Sequence, residues 1–379
     1  MRRQHSPRRG YTLVELLVVI MIAMLLMVVS LPVVKTVMDD ARPREASRIL
    51  NSTLFTAKSR AAFTTRLAGV EFVMQAVGDT TMNPTTYQCT QMYLCEVPAM
   101  YAGDSTLSQA TINVDTQSPS GSPRSPNTFY NYKLYLMDGP VGNSLPSSSD
   151  STTKTANYLI DQDIFEIRFD FRGPWYTGHR IGTESFTVDI PGNPPPCVMS
   201  STNPPNNFCR SAPFQIRRPP QRVGNAVELP RGTAIDMMFS GIGQQGEDFA
   251  DTSALRIMFT PEGSLLNYTR MNRQMMGSPV AATNPVLGTA HFLVGVPQKV
   301  TGRQEEAMGA YTYTDASKSN IADFNALWVS IGRASGVVTT NENAPNPTFS
   351  GDPSMNAIRQ SYIQQCRQYA TAREQKGGR

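Results

Sequence analysis

Between Leu16 and Val34 the chain is apolar except at Ser30 and Pro32, and this run constrains the fold more than any other feature. Wound as a helix at about 1.5 Å per residue, it is long enough to cross a hydrocarbon core about 30 Å thick. Arg2, Arg3, Arg8 and Arg9 precede it with no acid among them, and Lys35 is the nearest charge beyond it. The basic side is therefore expected to stay cytoplasmic and the chain after Val34 to be exported. The run is too long for the core of a cleavable secretory signal, and Leu31-Pro32-Val33-Val34-Lys35 has no Ala-x-Ala pattern.

One acid, Glu15, stands at the mouth of this segment. A carboxylate at the centre of a span costs about 2.5–3.5 kcal/mol, less near its end, so such a group usually has a partner or lies at the interface.

Composition fits an exported domain. Of 379 residues 40% are hydrophobic and only 17% charged, with 28 Pro and 27 Gly, a balance suited to a β-rich, loop-rich domain rather than a helical cytosolic enzyme. The net charge of +4 resides in the leader, because without its four arginines 30 basic residues face 30 acidic ones.

A short basic leader ending at Gly10, then Tyr11, then Thr12-Leu13-Val14-Glu15 and a long apolar helix, resembles the prepilin signature of type IV pilins and pseudopilins. The resemblance implies that a membrane prepilin peptidase cuts after Gly10 and that the new N-terminus, Tyr11, is N-methylated. Phenylalanine is commoner at that position. It also implies that Glu15 acts in subunit assembly and that Pro32 kinks the helix. The positive amine freed on one subunit would pair with Glu15 of its neighbour, which offsets the desolvation of both charges.

Past the membrane run, Ala46, Ile49, Leu50, Leu54, Ala57 and Ala61 recur at helical spacing, with Arg48, Asn51, Ser52, Lys58 and Ser59 on the other side. This predicts a helix continuing the span, kinked or interrupted at Pro32 and Pro43, with its apolar stripe laid on a sheet. Strands are predicted at 67–77, 132–137, 164–171, 185–190, 234–239, 254–260, 290–296, 326–331 and 337–340. The turn-rich stretches 118–126, 142–155, 191–205 and 217–222 read as surface loops rather than domain linkers.

Three phrases in the second half extend the resemblance: Leu229-Pro230-Arg231-Gly232-Thr233, Phe259-Thr260-Pro261-Glu262-Gly263 and Trp328-Val329-Ser330-Ile331-Gly332. Their order is similar to that in H-type minor pseudopilins of type II secretion systems and related minor pilins. The chain is longer than that family's usual size, and the excess lies between the first strand and Leu229. The organisation expected is a cleaved leader (1–10), a transmembrane helix (11–34), its continuation (35–66), a β-rich exported domain with large insertions (67–353) and a basic C-terminal helix or tail (354–379). The fold class is α+β, a long N-terminal helix packed on a mainly antiparallel domain, single-pass in the inner membrane. Partners implied by the resemblance are the prepilin peptidase, other pilin or pseudopilin subunits, the inner-membrane assembly platform and the lipid bilayer.

Of the five cysteines, the near pairs Cys89/Cys95 and Cys197/Cys209 are each placed to close a local loop in an oxidising compartment, leaving Cys366 over. His5, His179 and His291 are scattered, which argues against a zinc site. Gly241-Ile242-Gly243-Gln244-Gln245-Gly246 has the letters of a dinucleotide-binding turn, but Glu247 and Asp248 follow where a helix should receive phosphate. It reads as a glycine-rich hairpin loop, and no cofactor and no catalytic group are expected. The tail carries Arg359, Arg367, Arg373, Lys376 and Arg379 against Glu374. It is expected to be a solvated, frayed helix, with nucleic-acid binding as the alternative.

Overall fold

A computed structural model describes residues 13–77, 86–103, 105–119, 129–138, 164–181, 185–191, 209–244, 249, 254–272, 280–300, 319–344 and 355–375. The chain divides into two compact units: Met1–Ala62 with Gly69–Leu94 and Gly224–Arg379, and Phe63–Ala68 with Cys95–Val223. The architecture is mostly antiparallel β. The second unit takes up most of the excess before Leu229 and includes the strands expected at 132–137, 164–171 and 185–190, while 120–126, 142–155 and 192–205, read as surface loops, lie outside the described residues.

Helix α1 (Leu13–Thr64) is a single element. It passes through Pro32 and Pro43, so the interruption expected at the prolines does not occur; the side chains of 28–40, Pro32 among them, lie outside those described. In chain order the strands are β1 (Ala68–Val77), β2 (Thr86–Glu96), β3 (Ser108–Pro119), β4 (Phe129–Asp138), β5 (Ile164–Phe169), β6 (Tyr176–Ile181), β7 (Ser185–Pro191), β8 (Phe214–Arg217), β9 (Gln221–Glu228), β10 (Ala234–Ile242), β11 (Ala254–Phe259), β12 (Leu265–Asn272), β13 (Val280–Pro285), β14 (Ala290–Gly295), β15 (Leu327–Ile331) and β16 (Val338–Glu342). Helix α2 (Met355–Gln375) ends the described chain.

The larger sheet has the order β13-β12-β11-β1-β2-β10-β14-β15-β16, with β9 also on β2. Strands β10, β14 and β15 are buried at every residue, which requires cover on both faces. The register shows what covers them. Phe292 pairs with Val329 and Val329 with Thr340, so the three share a face, and Thr340 receives the Asn51 amide of α1 at 2.6 Å. Leu293, Trp328 and Asn341 share the opposite face, and the Asn341 amide donates to the Ala370 carbonyl of α2 at 2.9 Å. The two helices thus cover opposite faces of one sheet.

The smaller sheet runs β3-β4-β7-β6-β5-β8, every neighbouring pair antiparallel. Residues 209–217 join its two edges. Phe214–Arg217 pair with β5, while Cys209 N–H donates to the Ile112 carbonyl at 2.9 Å and Ala212 N–H to the Ala110 carbonyl at 3.0 Å. The six strands close into a barrel around Tyr132, Leu134, Phe165, Ile167, Phe186, Val188 and Ile216.

The Cys89/Cys95 loop does not form. Both side chains are buried thiols. They sit on one extended strand, where six residues at about 3.3 Å each separate their Cα atoms far beyond the roughly 4.4–6.8 Å that a disulfide spans. Cys209 is disulfide-bonded, Cys366 is a buried thiol, and Cys197 lies outside the described residues.

Candidate functional site

The candidate site is α1 together with the frame that holds it. Its two halves differ. From Leu13 to Met27 the large apolar side chains are exposed, Leu13 at 81% and Met27 at 65%, with Glu15 in the first turn where the helix dipole favours an acid. From Pro43 onward the helix is amphipathic: Ala46, Leu50, Leu54, Ala57 and Ala61 are fully buried, whereas Phe55 is 66% exposed. Ile49, expected on the same stripe, is half-buried at its margin. Gly10 and Tyr11 lie outside the described residues. Among the described residues no helix is long and apolar enough to cross a membrane. The apolar stretch whose side chains are described, Leu13–Met27, falls short of the roughly 20 residues that a span needs.

The buried half is fixed by polar contacts as well as by its stripe. Lys58 Nζ donates to the carbonyls of Ser335 and Gly336 at 2.8 and 3.3 Å, in the turn before β16. That turn is itself tight. A Cβ at Gly336, whose φ is +55°, would lie 1.9 Å from the Gly263 carbonyl oxygen, so only glycine fits there. Within the same sheet, Arg256 Nε donates to the Glu71 carboxylate at 2.7 Å, joining β11 to β1.

The other face depends on a break in β10. Asp236 pairs with Leu293 but Gly241 pairs with His291, so the strand bulges over Met237–Ser240 and several of its buried backbone groups leave the ladder. Side chains take their place. Asp236 Oδ1 accepts from Met238 N–H at 3.0 Å, and Ser240 Oγ accepts from Leu293 N–H at 3.0 Å. Arg367, fully buried on α2, donates to the Phe239 and Gly243 carbonyls at 2.6 and 2.9 Å. Asn320 donates to Asp236 Oδ2 at 3.1 Å and accepts from Val296 N–H at 2.8 Å. Trp328 donates to Asn343 Oδ1 at 2.9 Å, and Asn343 in turn holds the Ile321 carbonyl.

Burial dominates the electrostatics of this face. It pulls His291 down to about 3, with the Arg367 charge as the second cause, so the ring is neutral and meets Ser330 Oγ at 2.9 Å. Burial likewise pushes the Cys366 thiol up to about 12.

Two expectations are corrected here. The segment ending in α2 is not a frayed, solvated helix: Tyr362, Ile363, Cys366 and Ala370 are buried against Met238, Phe239, Leu293 and Trp328. Arg367, counted among the basic residues of a tail, is a core residue. Gly241-Ile242-Gly243 does not open a hairpin either, since β10 lies between β2 and β14 whereas β11 lies between β1 and β12. The Gly243 carbonyl is held by Arg367, and residues 245–248 and 250–253 lie outside the described residues. The periodicity of α2 was visible in the sequence; the bulge that draws Arg367 inward has no sequence signal of its own.

Among the described residues no group of three His, Cys, Asp or Glu side chains is placed to hold a metal ion. His179 meets Asp189 at 3.1 Å on neighbouring strands β6 and β7, and Glu166 is exposed on β5.

Residues 5–31 match the family model described as the prokaryotic N-terminal methylation motif. The match spans Gly10, Tyr11 and Glu15 and ends just before Pro32. No curated protein and no solved structure is similar enough to match the chain.

Proposed function

We propose that this chain, type IV prepilin-like by its methylation motif, is a minor pseudopilin or pilin-like structural subunit rather than an enzyme. In this reading a prepilin peptidase cleaves between Gly10 and Tyr11 and Tyr11 is N-methylated. The helix then holds the subunit in the inner membrane, N-terminus inside and domain exported, until it enters a type II secretion pseudopilus or a type IV pilus-like filament. Pro32 supplies a bend within the assembly segment. Other subunits and an inner-membrane assembly platform are the partners.

The observation that carries this reading is the division of α1. One helix buries its second half in its own domain and leaves the apolar side chains of Leu13–Met27 exposed. Exposed apolar area costs about 25 cal/mol per Å², so that stretch requires either lipid or neighbouring helices to cover it. Glu15, the acid on that stretch, becomes the assembly contact when the amine of a cleaved neighbour reaches it. The test compares Glu15→Ala and Glu15→Asp with the parent for membrane insertion, processing and recovery in sheared filaments. Insertion and processing at parental levels with loss of the alanine variant from filaments is expected. Normal incorporation of that variant would remove the role given to Glu15.

The alternative, a DNA-capturing minor pilin acting through a basic tail, loses support from Arg367, which is buried beneath Phe239 and Gly243 and unavailable to phosphate.

A further inference from the structure

We infer that the mouth of the barrel binds a short acidic carbohydrate. Where residues 209–213 cross from β3 to β5, they enclose a cavity of 710 Å³ together with β3 and the β5–β6 turn. The size falls within the roughly 300–1,000 Å³ of small-molecule sites, and barrel mouths are a preferred place for them. Ile112 and Ile190 form an apolar floor, and Phe169 and Tyr176, 6.1 Å apart and tilted by 46°, form an aromatic wall. The rim is polar. Gln109 Oε1 accepts from Ser211 Oγ at 2.6 Å, and Asp170, Arg172 and Arg210 stand beside them.

The turn that sets this rim is strained. Asp170 and Phe171 both have positive φ, at +56° and +52°, although neither is glycine, and Asp170 N–H donates to the Pro213 carbonyl at 2.6 Å. Backbone of this kind persists where its surroundings over-determine it. Here it holds Asp170 and Arg172 on the rim, locked to the strap that carries Arg210 and Ser211. Disulfide-bonded Cys209 anchors the strap.

The chemistry of the lining matches a sugar on three counts. A pyranose presents apolar C–H faces to aromatic rings and hydroxyl edges to planar carboxylate, amide and guanidinium groups. Two arginines against one aspartate add a net positive rim, which selects a carboxylate through bidentate hydrogen bonds. An apolar peptide would leave those rim charges desolvated and unpaired.

The test is calorimetric titration of the full chain in detergent with trigalacturonate, maltotriose and the trinucleotide of thymidylate. The acidic sugar should bind at least about tenfold more tightly than the neutral one, about 1.4 kcal/mol. Replacing both Arg172 and Arg210 by Gln should erase that preference while maltotriose binding persists. Tyr176→Ala should weaken both sugars, and Thr177→Ala, on the exposed outer face of β6, should change neither. Absence of saturable binding by either sugar, a preference that survives the double variant, or equally tight binding of the trinucleotide would overturn the assignment. Near-UV circular dichroism of each variant establishes that the fold is intact.

Discussion

Arg367 Nη2 donates to the Phe239 carbonyl at 2.6 Å inside the core, joining the C-terminal helix to the bulge of a central strand. A guanidinium can stay buried there because its hydrogen bonds replace ladder bonds that the bulge removed. A hydrogen bond involving a charged group contributes about 1.5–3 kcal/mol, and a carbonyl left without a donor in the interior costs a similar amount. Arg367→Met should therefore lower unfolding stability by about 3 kcal/mol. Arg367→Lys should recover only part of this, since one ammonium does not reproduce the planar fork that reaches both Phe239 and Gly243. Urea denaturation followed by Trp328 fluorescence checks both.

His291 adds a pH dependence. Its folded-state pKa of about 3 lies below the ordinary value of 6.5, so only the unfolded chain takes up the proton between those values. The penalty is absent above pH 6.5 and grows as pH falls towards 3, at up to about 1.4 kcal/mol per pH unit. His291→Gln should remove this component, so the stability gap between variant and parent should narrow or invert on acidification. Parallel stability profiles for the two would contradict the assignment.

The two faces of α1 should respond differently to truncation. Leu50→Ala, in the fully buried stripe, should cost about 2–5 kcal/mol, whereas Phe55→Ala, 66% exposed, should stay within about 0.5 kcal/mol. Thermal unfolding of the exported part in detergent measures both. Equal losses would mean that the stripe is misassigned.

Cysteine chemistry separates buried thiols from the bridged pair. Cys89, Cys95 and Cys366 should resist alkylation in the folded chain and react on denaturation without reductant, whereas Cys209 should not. We propose Cys197 as its partner, closing a loop worth roughly 3 kcal/mol in the loop-entropy model. Mass spectrometry should find three adducts before reduction and five after. Five adducts without reductant would exclude the bridge.

The sequence made α1 and the apolar strands legible because each carries one clear period. Helical spacing from Ala46 to Ala61 marks the buried stripe, and short apolar runs mark β10, β14 and β15. Strands β2, β3, β9 and β12 escaped because they are rich in Gln, Thr, Ser and Asn; in β2 the buried Cys89, Met92 and Cys95 recur every third residue rather than every second. Strands β4, β5 and β7 of the second unit were legible, but the closure of its barrel was not, since it depends on the short segment at 209–217, for which no strand was expected. Nothing local in the sequence distinguishes Arg367 from the other basic residues of its segment. Its burial follows from a bulge more than a hundred residues earlier in the chain, which no local pattern encodes.

We propose that the mature subunit begins at Tyr11. N-terminal analysis and intact mass of the protein extracted from membranes of cells with a prepilin peptidase test it most directly. A chain starting at N-methylated Tyr11 is expected, and a Gly10→Val variant should retain its leader. A full-length chain beginning at Met1 despite active peptidase, or a new N-terminus beyond Val34, would contradict it.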